Sequence, residues 1–155
     1  MSKTLPSYTS GTAEKPLLGM TIGEMLDRTA AKYPDNEALV CLHQDIRWTY
    51  KEFVEKVDEA ARAFMAIGVK RGDRVGIWSP NRYEWTVTQF ATAKVGAILV
   101  NINPAYGVHE LQYALNLAGI TTLVTADSFK ASNYREMIYE LAPELKRSAP
   151  GKLKA

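Results

Sequence analysis

Residues 74–106, RVGIWSPNRYEWTVTQFATAKVGAILVNINPAY, decide the fold of this chain. Arg74 to Trp78 opens with the apolar alternation Val75, Ile77. Ser79-Pro80 closes it, because proline has no N–H for a sheet ladder and restricts the residue before it. Asn81 is then placed to cap a helix, with Glu84 three residues on reaching back to the cap N–H. Val87, Phe90, Ala91 and Val95 fall on one face of that helix. Lys94 meets its negative end and Gly96 offers a left-handed stop. The run Ala97 to Ile102 is almost continuously apolar and β-rich, the pattern of a strand covered on both faces, and Asn103-Pro104 turns the chain.

The same alternation extends in both directions. Downstream, Gly107 starts a helix with Val108, Leu111, Leu115 and Ala118 on one face and Gly119 as its stop. Thr121 to Thr125 is a β-branched strand, and Tyr134, Met137, Ile138 and Leu141 mark a last amphipathic helix ending near Pro143. Upstream, Thr21 and Glu24 form a capping box, Met20 can staple to Met25, and a helix begins at Ile22. Its expected buried stripe is Ile22, Met25, Leu26, Ala30 and Tyr33, and Pro34 ends it. Ala38 to Cys41 and Ile46 to Trp48 read as a hairpin joined through His43-Gln44-Asp45. Thr49 and Glu52 form a second capping box, followed by Phe53, Val57, Ala60, Ala61, Phe64 and Ile67 on one face and Gly68 as the stop. The turn Val69 to Asp73 is basic, but it precedes a strand, the wrong end for dipole-assisted phosphate binding, and reads as solvated.

Strands alternating with helices, joined by connections long enough for parallel crossovers, predict an α/β fold: a mostly parallel sheet with helices on its faces. The expected organisation is a flexible, Ser/Thr/Pro/Gly-rich arm over 1–19, a folded part over 20–145 and a polar tail over 146–155.

With 155 residues, 46% of them hydrophobic, the chain can build one real core. Nineteen basic against 17 acidic residues leave a net charge of +2, too balanced to argue for nucleic acid or an anionic membrane. One cysteine, Cys41, excludes an intramolecular disulfide and reads as a small buried hydrophobe in a reducing compartment. No apolar run approaches the ~20 residues of a membrane helix, and the start reads as neither a signal peptide nor an Arg-rich transit peptide. The expectation is a soluble, cytoplasmic protein.

Dinucleotide, P-loop and zinc motifs are absent from the sequence: Gly68, Gly72 and Gly76 are spaced four apart, no G-x-x-x-x-G-K-[ST] occurs, and cysteines are not paired. Tyr8 to Thr12, with Lys15-Pro16, superficially resembles a phosphate loop, but no strand precedes it and no later glycine completes it. His43 in a turn and His109 near a helix start read as surface residues, lacking a neighbouring Ser, Cys or carboxylate constellation. Asp127 follows a strand end, where α/β proteins place ligands, but on its own an aspartate there more often caps a helix. Trp48, Trp78, Tyr83, Trp85 and Tyr106 do not interleave with basic residues and read as core packing.

Three segments together carry a family resemblance. Trp48-Thr49-Tyr50-Lys51-Glu52-Phe53 is similar to the first core motif of the AMP-forming acyl-CoA synthetases. Gly68 to Val75 is similar to their Gly-Val-x-x-Gly-Asp-Arg-Val, and Gln89 to Pro104 to their second core motif. Leu17-Leu18-Gly19 and Glu110-Leu111 also fit, so the resemblance runs from Leu17 onward. It points to the adenylate-forming superfamily and within it to the fatty-acid-activating, medium-chain-like branch.

That resemblance implies the first part of the large N-terminal domain of a ligase of fatty acid metabolism. The complete enzyme would use ATP, magnesium and coenzyme A, with a fatty acid as substrate and an acyl-adenylate as intermediate. The family's phosphate loop, adenine and ribose motifs, hinge and adenylate-contacting lysine come later than this chain extends. No catalytic residue or metal ligand is therefore carried over, no cofactor-binding residue is assigned, and the chain alone is expected to be inactive. The alternative is a non-enzymatic docking module completed by a companion chain, and self-association is expected of uncovered strands. An independent nucleotide-binding α/β protein ranks last.

Overall fold

Capping chemistry places the first two helices where the sequence puts them. The computed structural model describes Gly11 and residues 17–153, so the expected arm, with its Ser/Thr/Gly stretch, lies mostly outside the described residues. Helix α1 (Ile22–Lys32) and helix α2 (Tyr50–Ala66) each start on a complete capping box, Thr21 with Glu24 and Thr49 with Glu52. Between them, β1 (Glu37–Cys41) and β2 (Ile46–Thr49) pair antiparallel across a 3-10 turn at Leu42–Gln44.

The central sheet has three parallel strands in the order β4-β3-β5: β4 (Ile98–Ile102), β3 (Arg74–Trp78) and β5 (Thr122–Thr125). Helix α3 (Tyr83–Val95) crosses from β3 to β4, and helix α4 (Val108–Ala118) crosses from β4 to β5. Gly96 (φ +79°) and Gly119 (φ +60°) stop these helices in the left-handed conformation that a side chain would strain. After β5, a small hairpin of β6 (Ser128–Phe129) and β7 (Ser132–Asn133) leads into helix α5 (Tyr134–Leu141). The sequence reading missed that hairpin, since two-residue strands show no alternation.

Two apolar cores lie on opposite faces of the sheet. Val75 packs with Leu26, Phe53, Val57, Phe64, Val87 and Ala91, so α1, α2 and α3 cover one face. Trp78, Ile102, Leu111 and Tyr134 form the other core beneath α4 and α5. Gly76 lies on that second face, where an added Cβ would come within 3.1 Å of Ile120 and Leu123. Trp78 is fully buried, stacks on Tyr134 at 3.6 Å between ring centroids and 12° between planes, and donates its indole N–H to the Asn103 carbonyl at 3.1 Å. Tyr134 in turn donates its hydroxyl to the Pro104 carbonyl, so this aromatic pair holds the turn after β4.

Several sequence expectations are corrected. Strand β4 is an edge, not a doubly covered strand: Ile98 is 49% exposed and Asn101 is exposed. Its apolar run resembles that of an interior strand, and only pairing distinguishes the two. Helix α1 buries Gly23, Leu26 and Ala30 and leaves Ile22, Met25 and Tyr33 exposed. Gly23 decides this rotation, because its missing Cβ lets Lys94 Cγ lie 3.0 Å from where the atom would stand. Lys94, the basic residue in the last turn of α3, also sends its ammonium to Asp27 at 2.5 Å and Asp58 at 2.6 Å, tying α3 to α1 and α2. Ile67 is exposed, Phe90 is half-buried against Phe53, and Thr88 and Thr92 take buried positions on α3. The Thr92 hydroxyl donates to the Thr88 carbonyl, which removes the cost of burying it.

Candidate functional site

The carboxyl ends of β3 and β5 open into a cleft of about 300 Å³ lined by Ile77, Ser79, Arg82, Glu84, Val124 and Asp127, among others. Ligands of open α/β sheets bind at this end of the strands, where successive connections leave in opposite directions. Here β3 connects through α3 to one side and β4 returns through α4 to the other.

The polar wall of the cleft is built by contacts that span the chain. Pro80 cannot extend β3, so the chain turns, and Arg82, extended at φ −143° and ψ 161°, is the residue that precedes α3. Asn81, the expected cap, does not fill that role. The first N–H of α3, on Tyr83, is instead bound at 2.9 Å by the side-chain oxygen of Gln44 from the β1–β2 turn. Gln44 also donates to both oxygens of Glu84, at 3.2 and 3.0 Å. The Arg82 guanidinium donates to the same carboxylate from Nε at 3.2 Å and Nη2 at 3.0 Å. Glu84 is thus turned away from the backbone group it was expected to cap. Partial burial works against its charge, but the hydrogen bonds from Arg82 and Gln44 outweigh burial and hold its carboxyl below the usual range. The hydrogen bonds to Glu84 likewise hold the Arg82 guanidinium above its ordinary value, against partial desolvation.

The Ser79 hydroxyl donates to the Pro80 carbonyl and the Thr125 hydroxyl to the Ala126 carbonyl, so both are committed to backbone. Asp127 lines the cleft and does not cap a helix, the role its residue type alone favoured, and its carbonyl accepts the Tyr134 N–H. The cap of α5 is Asn133, whose side chain accepts the Glu136 N–H.

The other singled-out residues lie elsewhere. His43 sits 3.5 Å from the Cys41 sulfur in the hairpin turn, and that half-buried thiol also donates to Gln44 at 3.1 Å, a more polar setting than expected. His109 borders a shallow apolar hollow on α4 with Tyr106, Tyr113 and Leu117. Trp48 packs edge-on against Tyr83 at 5.0 Å. Among the described residues no group of three or more His, Cys, Asp or Glu could hold a metal ion. Neither Gln44 nor Arg82 was singled out from sequence: Gln44 has no periodic or capping signature in its own segment, because its partners are 39 and 40 residues away.

The family model described as AMP-binding enzyme matches residues 26–153, from α1 through the end of the described chain. The chain belongs to the AMP-binding enzyme family. It is 44% identical over 149 residues to the mitochondrial medium-chain acyl-CoA ligase ACSF2 of Mus musculus and 43% identical over 149 residues to that of Danio rerio. In both cases 96% of this chain is covered, against 24% and 25% of the relative, so the chain spans about a quarter of the length of the curated relatives it matches. Among solved structures, the inhibitor-bound N-terminal domain of FACL13 from Mycobacterium tuberculosis superimposes with a TM-score of 0.70 and 26% identity, covering 85% of this chain and 31% of that one. The resemblance to acyl-CoA ligases and the α/β architecture of their N-terminal domains are both borne out.

The cytoplasmic expectation is overturned. Relatives from mouse, rat and human, 44%, 42% and 43% identical to this chain, are mitochondrial ligases, which conflicts with a purely cytoplasmic reading. That reading rested on a single cysteine and on a start read as neither a signal peptide nor a transit peptide; a lone cysteine is as compatible with a mitochondrial interior as with cytosol. No helix among the described residues is long and apolar enough to cross a membrane.

Proposed function

We propose that residues 20–145 are the first part of the large domain of an AMP-forming acyl-CoA ligase that activates a medium- or long-chain fatty acid. The complete enzyme uses ATP and magnesium to make an acyl-adenylate and passes the acyl group to the thiol of coenzyme A. The 155-residue chain by itself performs neither step. The observation that carries this reading is 44% identity along 149 residues to a medium-chain ligase of which the chain spans 24%. The cleft agrees with it: the Arg82 guanidinium is paired with the Glu84 carboxylate and the Ser79 and Thr125 hydroxyls are bonded to backbone, so none of these groups is free to bind a triphosphate or to act as an activated nucleophile.

The test is carboxylate-dependent exchange of labelled pyrophosphate into ATP. The chain alone should stay at the level of a heat-killed control, and turnover above it would refute inactivity. Joined to the remaining three quarters of the mouse ligase, it should support exchange with a medium-chain carboxylate. A folded, soluble chimera that exchanges with no fatty acid would overturn the ligase reading.

Among the described residues the outer edges of β4 and β5 are unpaired, which favours a second reading, a docking module completed by a companion chain. Its signature would be co-purification with a polypeptide carrying the remaining domain.

A further inference from the structure

We infer that the amino-terminal rim of the central sheet is a membrane-docking face, which takes an anionic phospholipid surface through Lys70, Arg71 and Arg74 set around the aliphatic side chains of Met65, Ile67 and Ile98. The inference is independent of the ligase reading, because it rests on the chemistry of this rim alone.

Backbone hydrogen bonds gather these residues at one end of the molecule. Helix α2 ends at Ala66, Ile67 caps it, and the chain turns through Gly68 to Asp73 into β3. The Gly72 N–H donates to the Gly96 carbonyl at 2.9 Å and the Ile98 N–H to the Asp73 carbonyl at 2.8 Å, which fixes the turn against the start of β4. The Thr121 N–H donates to the Arg74 carbonyl at 3.1 Å, so the start of β5 closes the other side. The stem of Arg71 crosses Gly96, where an added Cβ would stand 3.2 Å from Arg71 Cγ. Met65, Lys70 and Arg71 then line one shallow hollow with Val95.

Both the aliphatic and the charged groups of the rim face solvent. Met65 is 63% exposed, Ile67 69% and Ile98 49%, although the sequence pattern puts Ile67 on the buried stripe of α2 and Ile98 in a covered strand. Lys70, Arg71 and Arg74 are exposed too, and the ion pairs among the described residues use other cations: Arg47, Lys56, Arg82 and Lys94. Asp73, the acid of the turn, accepts the Lys70 N–H at 2.8 Å. Lys94, at the inner wall of the hollow, holds Asp27 and Asp58, and exposed Arg62 lies on the Asp58 face of α2. The near balance of charge over the whole chain conceals this local excess of cations.

The combination selects the partner. Cations next to an anionic leaflet each strengthen binding about fivefold, and aliphatic side chains between them enter the boundary of headgroups and acyl chains while the long cationic stems reach back to the phosphates. A nucleic acid backbone would use the cations and leave the aliphatics in water. Protein interfaces favour aromatic anchors and disfavour lysine, the opposite of this rim. The cations also complement the negative ends of α2 and α3, but that role needs no exposed methionine or isoleucine beside them.

The test is co-sedimentation of the 155-residue chain, against a vesicle-free spin, with vesicles of phosphatidylcholine alone or with about 30% phosphatidylserine. The anionic vesicles should bind at least about tenfold more tightly, and less so as salt is raised. Lys70→Gln with Arg71→Gln and Arg74→Gln should weaken that binding by on the order of 100-fold. Lys51→Gln with Lys130→Gln and Arg135→Gln removes the same charge from the opposite end, at the starts of α2 and α5 and in the β6–β7 turn, and should weaken it less than about fivefold. Met65→Ser with Ile67→Ser should lose about tenfold at unchanged charge. Circular dichroism checks that each variant is folded. Should the rim triple variant unfold, Lys70→Gln with Arg74→Gln leaves the Arg71 stem on Gly96 and should still lose on the order of 10-fold. Equal binding to both kinds of vesicle, equal loss in the two triple variants, or no loss in the serine pair would each overturn the inference. A chain that is a dimer without lipid and a monomer as the serine pair would assign the rim to a second copy and equally overturn it.

Discussion

The side chain of Gln44, in the turn between β1 and β2, holds both ends of a single problem at Glu84: it donates to the carboxylate at 3.0 Å while its own oxygen binds the Tyr83 N–H that opens α3. One amide therefore supplies the helix cap that the local sequence lacks and a donor for the carboxylate that lines the cleft. The hairpin is fastened to the central βαβ unit through this residue.

Replacing Gln44 with alanine should cost about 1–3 kcal/mol, the range for losing a helix cap together with a donor to a charged group. The midpoint of urea unfolding measures it. Gln44→Glu should be worse than alanine near neutral pH, since it sets a second carboxylate against Glu84, and should recover as the pH falls. An alanine variant as stable as the parent would mean that solvent satisfies Tyr83 equally well.

Acid should unfold the chain in part through three carboxylates. Glu24 and Glu52 are held below their ordinary value by the backbone N–H of Thr21 and Thr49, then by the threonine hydroxyls. Glu84 is lowered by Arg82 and Gln44 against the larger single effect of its burial. A carboxylate lowered in the folded state adds stability that is complete above its unfolded value, about 4.3, and disappears as the pH falls through the folded value. The triple Glu→Gln variant should therefore have a shallower acid limb, its stability approaching that of the parent below this window. Parallel limbs would show that other groups govern acid unfolding.

Lys94→Met should lose about 2 kcal/mol, between the values for exposed and buried ion pairs, because it leaves Asp27 and Asp58 facing each other without a cation. Partial desolvation works against the Lys94 charge, yet the two aspartates outweigh it and hold the ammonium above its usual range. Adding Asp58→Asn to Lys94→Met should return part of the loss. Additive losses in the double variant would indicate that packing of the lysine stem on Gly23 is what matters.

Two aromatic deletions should differ in size. Phe90 is half-buried, edge-on to Phe53 at 5.5 Å, and Phe90→Ala should cost about 2 kcal/mol, below the value for emptying a fully buried site. Trp78 has no exposure and holds the turn after β4 through its indole, so Trp78→Ala should cost about 4 kcal/mol or more. Equal losses by chemical denaturation would contradict this ranking of the two cores.

What the sequence by itself determined is the chemistry between near neighbours. Both capping boxes, the stop at Gly96, the bounds of β3 and the order of the main strands and helices follow from residues a few positions apart, where the backbone leaves little freedom. The three family-like segments were legible for the same reason, as contiguous strings. Tertiary structure alone decided that β4 is an edge among the described strands, that Gly23 turns α1 onto Lys94, that Lys94 also pairs two aspartates of other helices, and that Gln44 caps α3. Lys94 reaches Asp27 over 67 positions and Gln44 reaches Tyr83 over 39. A side chain's reach across such a separation depends on how elements are arranged in space, and no spacing rule along the chain encodes it. The cleft shares this origin: it exists only because β3 and β5, apart in sequence, end side by side.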